Sequence, residues 1–325
     1  MRLLFILALF PFYSWADKAA FPTAPDVQSP WLTGPLLASS AYAVPIGHYY
    51  IEPYIYAVAN SAIYDHEWNA VEIDTLWNFS LQPYIQIGLT PWMDFQISPT
   101  LFYNFREGGG ANWAWGDLPI GLDMMLFQRG KNATDWLTAV KISLKEILPT
   151  GKYQNLNPKK LRTDIGGQGS WNTSFLLVWG QLVHISGKIF FDTRLNLQYS
   201  LPAPVHVKGF NSYGGGYGTN GTVYPAQNFE VDLGMELTLT QNWVLAMDIV
   251  GLWSGRTRFK GTLGSRPDGT PAIIGPGSAV QYSLAPAIEY NWSQNIGIIA
   301  GSWFTVAGRN SLKFSSGIIA FSYYK

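Results

Sequence analysis

Charged residues of this 325-residue chain fall at spacings of two and four within otherwise apolar or neutral stretches. Asp192 and Arg194 are two apart, Glu230, Asp232 and Glu236 share one parity, Lys141 and Lys145 are four apart, and Asp248 sits inside an apolar run. On an extended strand successive side chains alternate sides, so such spacings put each group on a single face. Two chemistries are open to that face. The carboxylates of Asp192, Glu230, Asp232, Glu236 and Asp248, set against the cations Arg194, Lys141 and Lys145, can build a charged constriction that filters solutes. The other reading is a solvated interior whose charges pair with one another and select nothing.

Catalytic and metal chemistry find little support. The four histidines, His48, His66, His184 and His206, belong to no His-Glu-x-x-His pattern, and neither a Gly-x-Ser-x-Gly elbow nor a phosphate-cradling glycine loop occurs. His184-Ile185-Ser186 reads as a polar turn, while pairs from different loops, such as Asp65 with His206, stay open. The chain has no cysteine, which removes disulfides, thiolate metal sites, a cysteine nucleophile and lipid attachment at an N-terminal cysteine. No metal and no cofactor is expected. With 21 Lys+Arg against 21 Asp+Glu the formal net charge is zero, which argues against a nucleic-acid partner.

The elements that must position the charges are strands. Charged residues make up 13% of the chain, about half the ~25% of an ordinary soluble domain, and aromatics reach 15%. Trp77, Phe79, Leu81, Ile85 and Ile87 alternate with Asn78, Ser80, Gln82 and Gln86; Phe191, Leu195, Leu197 and Tyr199 with Asp192, Arg194, Asn196 and Gln198; Phe229 to Leu237 with Glu230, Asp232 and Glu236. A period of two is the mark of a strand with one apolar face. Such runs predict twelve strands, at 46–58, 74–89, 92–105, 116–128, 135–148, 171–185, 188–201, 228–240, 243–253, 279–290, 295–307 and 312–324. Each can cross a bilayer, which takes about 9–11 tilted residues. Tight turns at Thr90-Pro91, Arg129-Gly130-Lys131, Ser186-Gly187, Gln241-Asn242 and Ser293-Gln294 alternate with longer connections over 60–72, 106–115, 149–170, 202–226 and 254–277 and a short one near Arg309-Asn310. The expected fold is all-β, an antiparallel transmembrane β-barrel of about twelve strands in a bacterial outer membrane.

With lipid on the apolar face, Glu52, Asp117, Asp123 and Glu289 join the charges above in the lumen. Tryptophan supports the orientation: Trp92, Trp136, Trp243 and Trp292 fall at the turn ends, and Trp77, Trp115, Trp171 and Trp253 at the loop ends, as two interfacial girdles would. Ahead of the barrel (46–325), Met1-Arg2, the apolar run to Phe12 and Ser14-Trp15-Ala16 predict a signal peptide over 1–16, cleaved before Asp17. Residues 17–45 carry Pro22, Pro25, Pro30, Pro35 and Pro45 and no strand pattern. They read as a plug for the lumen or as a periplasmic lead-in.

The outer loops are basic, with Lys152, Lys159, Lys160 and Arg162 in one and Arg256, Arg258, Lys260 and Arg266 in another, a pattern open to lipopolysaccharide phosphates. Trp115-Gly116-Asp117-Leu118, Leu148-Pro149-Thr150-Gly151 and Gly166-Gly167-Gln168-Gly169-Ser170-Trp171 resemble the outer-membrane proteins named for the phenol meta-degradation pathway, over roughly 46–325. That family is similar to the barrels that transport fatty acids and aromatic hydrocarbons, so the resemblance implies passive uptake of small, hydrophobic or aromatic compounds. It carries over no binding residue. The chain departs from the usual barrel ending, since its last aromatic, Tyr324, is penultimate to Lys325. The expectation is a monomeric passive channel in contact with outer-membrane lipid; the alternatives are a surface-interaction barrel working through its long loops, or a barrel enzyme.

Overall fold

The structure, a computed structural model, describes residues 29–129 and 137–325. The predicted signal peptide and cleavage site, residues 17–28, Trp136 and the turn following Arg129 lie outside the described residues. The strands are β1 (Tyr49–Tyr64), β2 (Ala70–Thr90), β3 (Met93–Ile97), β4 (Leu101–Arg106), β5 (Gly110–Trp115), β6 (Leu118–Arg129), β7 (Leu137–Leu148), β8 (Asn172–Ser186), β9 (Ile189–Pro202), β10 (Val205–Lys208), β11 (Asn220–Tyr224), β12 (Asn228–Thr238), β13 (Trp243–Ser254), β14 (Arg258–Thr262), β15 (Ala279–Ser293), β16 (Ile296–Arg309) and β17 (Ser311–Tyr324). Neighbours pair antiparallel throughout, and β1 closes the sheet by pairing with both β2 and β17. β3 and β4 both pair with β2 and form one interrupted wall strand, which makes a closed barrel of twelve.

The distribution of side chains is the reverse of a soluble core. Asp94, Asp123, Asp232, Glu236, Asp248 and Glu289 are buried, whereas Ile55, Phe79, Leu81, Ile87, Leu144, Phe175, Leu245, Ile249 and Phe321 are exposed. An apolar outside around a polar inside is the arrangement for a strand whose outer neighbour is lipid, where a closed barrel leaves no backbone group unpaired at an edge. Trp92, Trp243 and Trp292 at the turn ends and Trp77, Trp115 and Trp171 at the loop ends are exposed, as the girdles require.

Several expectations need correction. The strand expected over 92–105 is cut at Ser98–Thr100, because Pro99 has no N–H for the ladder. The stretch 106–115, expected as a loop, folds back as β5 on β4. The first hairpin runs to Tyr64 and Ala70, well beyond the expected ends at 58 and 74, and it closes on Asp65. The connections 202–226 and 254–277 are not plain loops: β10, β11 and β14 form a separate three-stranded sheet. Its inner face packs Val205, Val207, Val223 and Ile274 with Tyr153, Tyr213 and Phe259 into a small core at the loop end of the barrel.

Candidate functional site

The barrel interior is occupied by Ser29–Pro45. The segment begins at the turn end, where Gln241 donates to the Ser29 carbonyl (2.9 Å) and Asn291 to that of Trp31 (3.0 Å). It rises to mid-depth at Ala38, whose N–H donates to Asp248 (3.0 Å), crosses the lumen, and returns to the turn end at Val44, whose N–H donates to Asp94 (2.7 Å). Pro30, Pro35 and Pro45 keep it from extending a strand or a helix, so its backbone donors must find side-chain acceptors. The wall supplies them: Thr33 N–H donates to Glu289 (3.1 Å) and Gly34 N–H to Glu236 (3.1 Å). Small wall residues make the room. Leu36 packs on Ala246, Ala285, Ile299, Ile318 and Ala320, and Ala41 on Ala139, Leu176 and Val178. A Cβ at Gly234 would stand 2.5 Å from that of Ala38.

The charged residues singled out by spacing do not form one ring. Arg194 donates to Asp192 (3.0 Å) and to Glu236 (2.9 Å), a buried triad on β9 and β12. Lys141 instead pairs with Asp123 (2.6 Å), with Gln86 and Gln96 donating to the same carboxylate. Asp248 serves the inner segment. Glu230, Asp232 and Lys145 make no ion pair among the described residues, so the spacing placed each group on the inner face without determining its partner. Asp117 is not a lumen charge: its carboxylate accepts the N–H of Gly151 (2.9 Å) and of Gln168 (2.6 Å) at the loop end. Thr150 adds a bond to the Gly116 carbonyl (2.9 Å). The three motifs that carry the family resemblance therefore meet in one latch that ties the 149–170 connection to the barrel rim. Asp94 was missed, although it shares the parity of Gln96 and could have been found by the same alternation.

Gly34 has φ +111° and sits where a Cβ would lie 2.4 Å from an Arg194 guanidinium nitrogen. Gly34→Ala must strain the backbone and displace Arg194, at a cost of about 1–3 kcal/mol. Limited proteolysis should show residues 29–45 cut faster in that variant than in the native chain.

The ladder of the wall is interrupted at one level. Residues 82–84 of β2 have no ladder partner on the side of β3 and β4. The register from Ile85↔Ile97 to Leu81↔Leu101 sets Pro83 opposite Pro99, and Pro53 of β1 pairs with Pro83 from the other side. Three neighbouring strands thus lack backbone donors at one height. A cavity of about 850 Å³ runs beside the inner segment. It is lined there by Ser98 and Pro119 on the lumen side and by Ile97 and Ile120, which alternation places on the lipid side. Its other end reaches Asn291, Asn295 and Tyr324 at the turn rim.

The pairing of Asp65 with His206 does not occur among the described residues. The Asp65 carboxylate accepts the N–H of Asn69 and Glu67, which holds it below its usual range, while His206 stands on the exposed face of β10.

No protein-family model and no curated protein matches the chain in sequence. Among solved structures it is similar to an outer membrane channel from Pseudomonas putida F1, at 13% identity and TM-score 0.66 over 89% of this chain and 100% of that one. It also matches the β domain of the Bordetella autotransporter BrkA (11% identity, 86% and 99% covered, TM-score 0.45). The Pseudomonas putida toluene transporter TodX matches at 10% identity, with 90% and 92% covered and TM-score 0.38. At these identities the likeness concerns the fold: the chain folds as a twelve-stranded β-barrel of the outer-membrane type.

Proposed function

We propose that the barrel passes small apolar or aromatic compounds across the outer membrane by diffusion, with Ser29–Pro45 as a plug that blocks the straight path. The carrying observation is the ladder break at Ser98–Thr100, beside which the 850 Å³ cavity is lined by Ile97 and Ile120 of the lipid-facing side as well as by Ser98 and Pro119. This weak place in the wall is the opening through which lipid-dissolved compounds enter. A compound partitioned into the outer leaflet reaches that opening without crossing the extracellular cap, and the cavity leads on to the turn rim. The volume lies within the ~300–1,000 Å³ of small-molecule sites. The similar channel of Pseudomonas putida F1 supports the reading at the level of architecture. One chain closes the barrel by itself, which supports a monomer as the working unit. On the cap, Lys208, Arg258 and Lys260 are exposed on the outward face of the three-stranded sheet, a surface suited to lipopolysaccharide phosphates.

Ser98→Trp tests the route. Ser98 borders the opening, and an indole there fills it. Toluene uptake by cells carrying the variant in a porin-depleted outer membrane should fall on the order of tenfold, since steric access limits the flux. Unchanged uptake in a correctly folded variant would remove the lateral path.

A further inference from the structure

We propose that the cavity beside the plug is built for a single-ring aromatic carboxylate, with Lys145 as the anchor for its anionic group. This deepens, and rests on, the channel reading above.

Four charged residues line the cavity: Glu52, Lys145, Asp192 and Arg194. Three are already engaged. Asp192 and Arg194 pair at 3.0 Å, and Glu52 accepts the Tyr54 hydroxyl at 2.8 Å. The other lumen carboxylates stand off the cavity lining: Asp94, Asp248, Glu236 and Glu289 accept backbone N–H groups of the plug, Asp123 holds Lys141, and Glu230 and Asp232 stay on the inner face of β12 without an ion pair among the described residues. Lys145 faces it with neither an ion pair nor a side-chain hydrogen bond among the described residues. Its strand partner is Gly121, whose missing side chain leaves room that the Gln96 amide occupies, so a neutral polar group and no second charge stands beside Lys145 on that side of the cavity.

The rest of the lining suits a ring. Tyr50, Tyr54, Tyr56 and Tyr84 project into the cavity from β1 and β2, with the Tyr54 and Tyr56 rings stacked at 5.7 Å and Tyr50 and Tyr84 edge-on at 6.5 Å. Leu36 and Leu37 of the plug form the apolar side. Aromatic rings gain from offset or edge contacts beyond simple burial. Glu230 and Asp123 lie within electrostatic reach of Lys145 but beyond ion-pair contact, so a neutral hydrocarbon that displaced water here would leave the ammonium with no hydrogen-bonded counter-charge, a costly arrangement. A carboxylate on the ring supplies the counter-charge through a charge-assisted hydrogen bond.

The test measures uptake of benzoate and of toluene by porin-depleted cells carrying the native chain, Lys145→Met or Lys145→Arg, with barrel folding checked by heat-modifiable gel mobility. Lys145→Gln replaces Lys145→Met should the latter not fold. The expected result is a benzoate-to-toluene ratio about tenfold lower in Lys145→Met, the scale of one charge-assisted bond, and restored in Lys145→Arg. An unchanged ratio in Lys145→Met overturns the proposal. So does native uptake of toluene with benzoate no higher than in cells lacking the barrel, a result that leaves the channel reading standing. If neither compound enters above that background, the channel reading itself falls and this inference with it.

Discussion

Deletion of residues 29–45 should turn a barrel that passes little current across a planar bilayer into one with defined open steps, with conductance higher on the order of tenfold. A barrel of about 8 strands is filled by its own side chains and one of 16–18 leaves an aqueous channel, so at twelve strands the occupant decides. Here the occupant seats Leu36 and Ala41 in wall hollows lined by alanine and small aliphatic residues. Its removal frees Asp94, Glu236, Asp248 and Glu289 from backbone donors, and water entering the lumen hydrates them. The chain has no cysteine, so Ala38→Cys with Gly234→Cys offers the converse control. Those two Cβ positions approach to 2.5 Å and need about 1 Å of separation to reach disulfide geometry. Oxidation should hold the conductance at its low level, and reduction should restore native behaviour. Equal conductance with and without residues 29–45 would show that the plug leaves during normal gating or never limits the current.

Arg194→Met should lower the stability of the barrel by about 3–5 kcal/mol, the usual cost of removing one partner from a buried ion pair. Asp192 and Glu236 are 6% and 1% exposed, and Arg194 is the cation that both touch. Glu236 also holds the plug through Gly34, so the variant should loosen residues 29–45 as well as the wall. Urea unfolding in lipid vesicles measures the first effect. The triple variant Arg194→Met, Asp192→Asn, Glu236→Gln should recover most of the loss, because neutral groups do not need the guanidinium. A loss under about 1 kcal/mol in Arg194→Met alone would mean that water reaches the two carboxylates and that the triad is not a stabilising unit.

The alternation in 74–89, 188–201 and 228–240 revealed both the strand and its inner face, since each depends only on neighbours along the chain. The cut at Ser98–Thr100 was visible in principle as Pro99, but its meaning was not. A single proline weakens one strand; a weak level across three strands needs Pro53, Pro83 and Pro99 at one height, and that coincidence depends on register between strands. The capping sheet was missed because β10, β11 and β14 are four or five residues each, too short for a period to emerge. The latch at Asp117 was legible only as three short motifs, whose meeting point is a matter of the fold.

Two levels of interaction therefore separate what was determined where. By itself the sequence determined the all-β class, the lipid-facing surface and, apart from Asp117 and the overlooked Asp94, the charges turned inward, because side-chain direction in a strand is a local property with period two. Only the tertiary structure decided that Lys141 meets Asp123 and not the Arg194 cluster, that Lys145 is left facing a cavity, and that Ser29–Pro45 lies inside the barrel. Those outcomes rest on contacts between residues far apart in the chain, 256 positions in the case of Thr33 and Glu289. Such contacts follow from barrel closure and register, which no local pattern encodes.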